Sequence, residues 1–167
     1  CIDDKNNNKA MGKTCPKYLK DNALVVHMRS GDIFGKVLRS NSLGYKQLPL
    51  AFYKNVFLSR PWKTITFVTE MNKDELMNPV WLYYHDKQNR QKNMIFPNAT
   101  NFKTDLHMMA CSQYLIPAAS SLYEFIIFFN PNLKEYYTHQ NCYNLPTSKK
   151  SIICNSYKLN GYVFSNW

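Results

Sequence analysis

The residues best suited to chemistry fall in one run, Val25-Val26-His27-Met28-Arg29-Ser30-Gly31-Asp32. Two β-branched residues lead into His-x-Arg and then Gly-Asp, the pattern of a buried strand that ends in a tight turn. This delivers an imidazole and a guanidinium to the carboxyl end of a strand, the edge of an open α/β sheet at which ligands bind. The planar donor fork of Arg29 suits a phosphate. Gly31 lets the backbone turn and approach a ligand closely, and Asp32 can accept from nearby backbone N–H groups and hold the turn. If the ligand carries a diphosphate leaving group, a fixed guanidinium aimed at its growing charge stabilises the transition state more than the ground state. The alternatives are an Arg29 paired with a carboxylate at the sheet edge and a His27 that is a satisfied core imidazole.

A second run extends from Asp105 to Leu122 (DLHMMACSQYLIPAASSL). Asp105 opens a helical pattern, where an acid complements the helix dipole. Ser120 and Ser121 precede another helical pattern. A helix amino terminus offers free N–H groups and a positive dipole end to an anion, and the hydroxyls add donors; plain capping is the alternative. Glu70 ends a strand-like run at the same edge and either touches a ligand or faces solvent. His85, His107 and His139 lack metal or triad spacing, and neither a Gly-rich phosphate loop nor an Asp-x-Asp motif is present.

The His-x-Arg-x-Gly-Asp pattern and the Asp105–Leu122 run, in this order, resemble the donor-site motifs of the α1,2-, α1,6- and protein O-fucosyltransferase group. In that family an Asp-Leu helix, a short strand and a Ser-Ser-Phe turn follow the Arg motif; here Leu122 stands where Phe is usual. The resemblance covers roughly Ala23 to Tyr137. It implies the carboxyl-terminal, donor-binding half of a GT-B type glycosyltransferase, with a Rossmann-like parallel sheet flanked by helices. The implied activity is inverting, metal-independent transfer of fucose from GDP-fucose to a glycan or protein hydroxyl. Arg29 would be the catalytic charge on the diphosphate. The implied donor-binding set is His27 (near base or ribose), Arg29, Gly31, Asp105 (on the guanine edge), Ser120 and Ser121, with Asp32 structural. The acceptor site would lie largely in a missing amino-terminal domain. Another nucleotide sugar is an alternative donor, because Arg and Ser read phosphate and not base. A non-catalytic binding domain that keeps the fold is the other.

These groups need a scaffold, and the pattern supplies one. Strands are expected at 23–28, 63–69, 93–96 and 114–117. Helices are expected at 49–58, from Asn78-Pro79 towards Lys87, at 105–113 capped by Thr104, and at 122–129 capped by Ser120 or Ser121 and stopped by Asn130-Pro131. Alternating strands and helices argue for a parallel sheet with crossover helices. Tyr83-Tyr84 and Tyr136-Tyr137 read as core and surface aromatics. Residues 1–21 read as a linker or the end of a missing region, 22–140 as the nucleotide-sugar-binding domain, and 141–167 as a truncated extension in which no firm element is visible from Cys142 on.

With 167 residues, 45% hydrophobic and 19% charged, the chain is long enough for one hydrophobic core and too apolar for a disordered one. No apolar run approaches the about 18 residues of a membrane span, so membrane attachment would come only from a segment outside this chain. The net charge of +10 favours anionic partners. Its lysines are scattered, which also fits a solvated basic face, and no nucleic-acid-binding motif accompanies them. The five cysteines form no Cys-x-x-Cys. Pairing Cys1 with Cys15 and Cys142 with Cys154 would close short loops and leave Cys111 a buried thiol. With the Asn98-Ala99-Thr100 sequon this points to the secretory pathway (Golgi or ER lumen), with the cytoplasm as the alternative.

Overall fold

The computed structural model describes residues 15–19, 21–30, 48–69, 78–97, 101–118, 121–138 and 153–156. Its elements run in the order β1 (Ala23–Met28), α1 (Leu50–Leu58), β2 (Thr64–Thr69), α2 (Pro79–His85), β3 (Met94–Ile95), α3 (Phe102–Cys111), β4 (Tyr114–Ile116), α4 (Ser121–Phe129), β5 (Glu135–Thr138) and β6 (Ile153–Ser156), with a single 3-10 turn at Lys17–Leu19 before the first strand. All strand pairings are parallel, and the order across the sheet is β3-β2-β1-β4-β5-β6. This is the α/β, Rossmann-like arrangement that the alternating pattern implies.

β1 lies at the centre, with Val26 beside Phe67 of β2 on one side and Ile116 of β4 on the other. Leu24, Val25 and Val26 are fully buried, because a central parallel strand is covered on both faces and its sequence must be apolar on both. Leu24, Val26 and Met28 point into a core built with Phe52, Tyr53, Val56 and Phe57 of α1 and Val80, Trp81 and Tyr84 of α2. Val25 points the other way, towards Met108 and Met109 of α3 and Ile126 and Ile127 of α4. Two helices thus cover each face. The entry to β1 is a turn of two consecutive left-handed residues, Asp21 and Asn22 (φ 55° and 64°), types that tolerate this region better than most. The Asn22 carbonyl accepts from Lys63 N, joining the starts of β1 and β2.

Several boundaries differ from the sequence reading. The cap of α3 is Asn101, not Thr104: Asn101 Oδ1 accepts from the Thr104 N–H at 3.0 Å and from its hydroxyl at 3.1 Å. Thr104 therefore sits inside the first turn. Tyr136 and Tyr137 form a strand, and both are buried, on opposite faces of it. β6 adds a sixth strand where no element was expected, its Cys154 beside Tyr136. Nor is the segment before β1 a bare linker: Leu19 is buried against the α3 and α4 side.

The disulfide expectation is overturned. Cys15 bonds to Cys111, 96 residues away, with Cα atoms 5.5 Å apart. Neither a Cys1–Cys15 pair nor a free Cys111 thiol is compatible with this bond. Short loop closure favoured the wrong partner; the segment carrying Cys15 packs along α3, where Tyr18 Oη also donates to Met108 Sδ at 3.6 Å. Cys142, the expected partner of Cys154, lies outside the described residues.

Candidate functional site

The two central strands lead to opposite faces of the sheet. After β1 the chain passes to α1 on one face; after β4 it passes to α4 on the other. The parting of adjacent connections opens a crevice at the carboxyl edge between β1 and β4, the place where doubly wound sheets take their ligands. Arg29 is the first residue past β1, half-buried, and α4 opens at Ser121, five residues past the end of β4. The sequence thus brings Arg29 and one helix amino terminus to the same edge of the sheet.

His27 is the penultimate residue of β1. Alternation along the strand gives it the same face as Val25, the face covered by α3 and α4. Its Nδ1 is covered and has no hydrogen-bond partner among the described residues. Burial first, and the nearby Arg29 charge second, together push its pKa down from 6.5 to about 4. The imidazole is therefore neutral at physiological pH, and can donate or accept a hydrogen bond but not serve as a fixed positive charge.

α3 connects the carboxyl end of β3 to the amino end of β4, so it runs antiparallel to the strands and its first turn lies at the ligand edge. Asp105 sits in that turn, buried, one helical turn before Met108 and Met109, which pack on the sheet with Val25 and Val68. His27 and Asp105 thereby lie at the carboxyl edge on the face covered by α3 and α4, and Arg29 follows His27 by two residues, close enough for its charge to act on the imidazole. Of the other expected residues, Ser121 begins α4; Gly31, Asp32, Glu70 and Ser120 lie outside the described residues. His85 stacks on Trp81 at 4.2 Å, and His107 Nε2 lies 3.9 Å from Cys111 Sγ, so each belongs to its own helix surface. His139 is outside the described residues.

The backbone of the Arg29 turn is held by residues to which the sequence reading gave no such part. Asn78, fully buried, caps α2: its Oδ1 accepts from the N–H groups of Val80 (2.9 Å) and Trp81 (3.3 Å). Its Nδ2 donates to the Arg29 carbonyl at 2.9 Å. Its backbone N–H donates to Ser30 Oγ at 3.2 Å, and Ser30 Oγ shares a 2.9 Å hydrogen bond with Thr69 Oγ1 at the end of β2. Asn78-Pro79 is legible as a helix start. That its second amide function reaches 49 residues back is not, because a cap pattern is local and this contact is set by the sheet order.

The opposite edge offers a contrast. Arg60 is bidentate to Glu135 (2.7 and 2.9 Å), Tyr137 Oη donates to the same carboxylate at 2.7 Å, and the guanidinium lies over the rings of Tyr114 (4.5 Å) and Trp62 (5.0 Å). This is an arginine used to join β4, β5 and the approach to β2 at the amino edge, where α/β folds do not bind ligands.

Among the described residues no helix is long and apolar enough to cross a membrane. In comparisons with protein-family models and with curated proteins, the chain matches none.

Proposed function

We propose that the chain is the donor-binding part of an inverting glycosyltransferase, of fucosyltransferase type, which takes GDP-fucose and transfers fucose to a glycan or protein hydroxyl. The observation that carries this reading is the strand order, in which the neighbouring parallel strands β1 and β4 lead to Arg29 and to the start of α4 at the same carboxyl edge of the sheet. A guanidinium and a helix start on two sides of a crevice suit a diphosphate. In the reaction, the acceptor oxygen bonds to the sugar's anomeric carbon as the bond to the β-phosphate oxygen breaks. GDP departs with the electron pair, and the acceptor proton passes to a base outside these elements. The part of Arg29 is to stabilise the charge on the leaving diphosphate. Asp105 is assigned to the guanine edge and the neutral His27 to a hydrogen bond with ribose or base.

The Cys15–Cys111 bond and the Asn98 sequon support a place in the secretory pathway, where disulfides persist. Titration calorimetry with GDP, UDP and pyrophosphate tests the assignment. GDP is expected to bind more tightly than UDP, and both more tightly than the bare nucleosides. Equal affinity for GDP and UDP would remove the guanine assignment and leave a site for another nucleotide sugar. Absence of binding by all three would overturn the diphosphate crevice itself.

A further inference from the structure

We infer that Asn78 is the positioning residue of the anion site: it fixes the direction of the Arg29 guanidinium by clamping the Arg29 backbone. This rests on the donor-phosphate reading of Arg29. The exit of β1, the exit of β2 and the start of α2 are tied together here: Asn78 bonds the Arg29 carbonyl and Ser30 Oγ, and Ser30 Oγ in turn bonds Thr69 Oγ1. The Asn78 side chain is fully buried. The two helix N–H groups require an acceptor and the Arg29 carbonyl requires a donor, so the amide can be oriented in only one way. Asp, Ser and Thr would cap α2 as well as Asn. Asp has no donor, and Ser or Thr would have to cap and donate from one hydroxyl oxygen, whereas the Asn amide serves the helix and the Arg29 carbonyl with two separate atoms. The choice of Asn is thus explained by the contact to Arg29 and not by the helix. Ser30 and Thr69 complete the tie, so that the residue carrying the guanidinium leaves β1 on a backbone fixed on both sides of its carbonyl. A guanidinium helps a developing charge only where its donors are already aimed.

The test is a double-mutant cycle on the full chain, with pyrophosphate as the probe in calorimetry and thermal melting as the check on folding. Asn78→Ser keeps a capping oxygen on a shorter side chain and loses the separate amide N–H that reaches the Arg29 carbonyl. It is expected to weaken pyrophosphate binding about tenfold, the worth of one well-placed hydrogen bond. Thr69→Val, which leaves the α2 cap untouched, is expected to weaken it about threefold, and gives the same test if Asn78→Ser does not fold. In the Arg29→Ala background neither substitution should weaken binding further, because the clamp acts through Arg29. Equal losses with and without the Arg29 side chain would overturn the positioning role, as would unchanged affinity in both clamp variants. If Arg29→Ala itself leaves pyrophosphate binding intact, it is the phosphate reading of the crevice that fails.

Discussion

His27 makes the fold sensitive to acid, and the size of the effect follows from its surroundings. The unfolded chain protonates this imidazole near pH 6.5, whereas the folded protein holds it neutral down to about pH 4. Between these values the unfolded state binds more protons, so stability falls as the pH falls. Above pH 6.5 the neutral form is present in both states and the contribution is complete. At about 1.4 kcal/mol per pH unit, the full gap corresponds to about 3 kcal/mol lost by pH 4. That is a large part of the 5–15 kcal/mol by which domains are typically stable, taken here as an order of magnitude (~10 kcal/mol). Urea unfolding at intervals from pH 7.5 to 4, with the disulfide kept intact, measures it. His27→Gln, which cannot be protonated, should lack up to one proton's worth of the slope in that window. The imidazole carbon and proton resonances of His27 should stay in their neutral positions at pH 5. A resonance that titrates near pH 6.5, or a His27→Gln protein with the wild-type slope, would refute the buried neutral assignment.

Three further outcomes are expected. Arg29→Ala should weaken diphosphate binding tenfold or more and, on the proposed glycosyltransferase reading, cut transfer by roughly a hundredfold, as for loss of one preorganised charge-stabilising donor. Arg29→Lys should rescue poorly, for want of the bidentate fork; normal turnover in Arg29→Ala would reduce the motif to a structural turn. Peptide mapping without reductant should recover Cys15 joined to Cys111, and reduction should lower unfolding free energy by up to about 4–5 kcal/mol on a chain-entropy estimate for a 96-residue separation. Recovery of Cys15 joined to any other cysteine would contradict the packing of the first segment on α3. Asn130→Ala should cost about 2–3 kcal/mol in urea unfolding, because the buried Asn130 Nδ2 donates to the carbonyls of Met109 (2.9 Å) and Ser112 (2.8 Å), which would lose their partner. A loss under about 0.5 kcal/mol would mean water replaces it freely.

What the sequence made legible is what neighbouring residues decide. The run Ala23–Met28 is apolar on both faces and its strand is found at the expected bounds. The stop at Asn130-Pro131 and the start at Asn78-Pro79 depend on local turn chemistry, and both fall where expected. Asn101 and Thr104 can both cap, and only the backbone path, which the sequence does not show, decides for Asn101. The contacts between distant residues were not legible. Cys15 meets Cys111, and Asn78 meets Arg29, only because α3 crosses back behind β1 and because β1 and β2 are neighbours. β5 is hidden for a related reason: Glu135-Tyr136-Tyr137-Thr138 shows no apolar alternation, since its tyrosines are buried on both faces and its acid is satisfied by Arg60. In the candidate site, the residue types of His27 and Arg29 were readable, but the protonation state of the one and the backbone support of the other were not.

The strand order also sets a schedule for the nascent chain. β1 emerges first, yet one of its two neighbours, β4, is not synthesised until some 90 residues later, with Leu24 finally lying beside Tyr114. Until then the central strand has β2 along one edge and an open ladder along the other, the kind of exposed edge that invites wrong pairing. Cys111 leaves the ribosome three residues ahead of Tyr114. The covalent tie to Cys15 and the closing of the β1 edge thus become possible at almost the same moment, and the crevice between β1 and β4 does not exist before it. Oxidation and the closing of the β1 edge are in this way one event in synthesis, and a chain released before it would carry the Arg29 motif without a site around it.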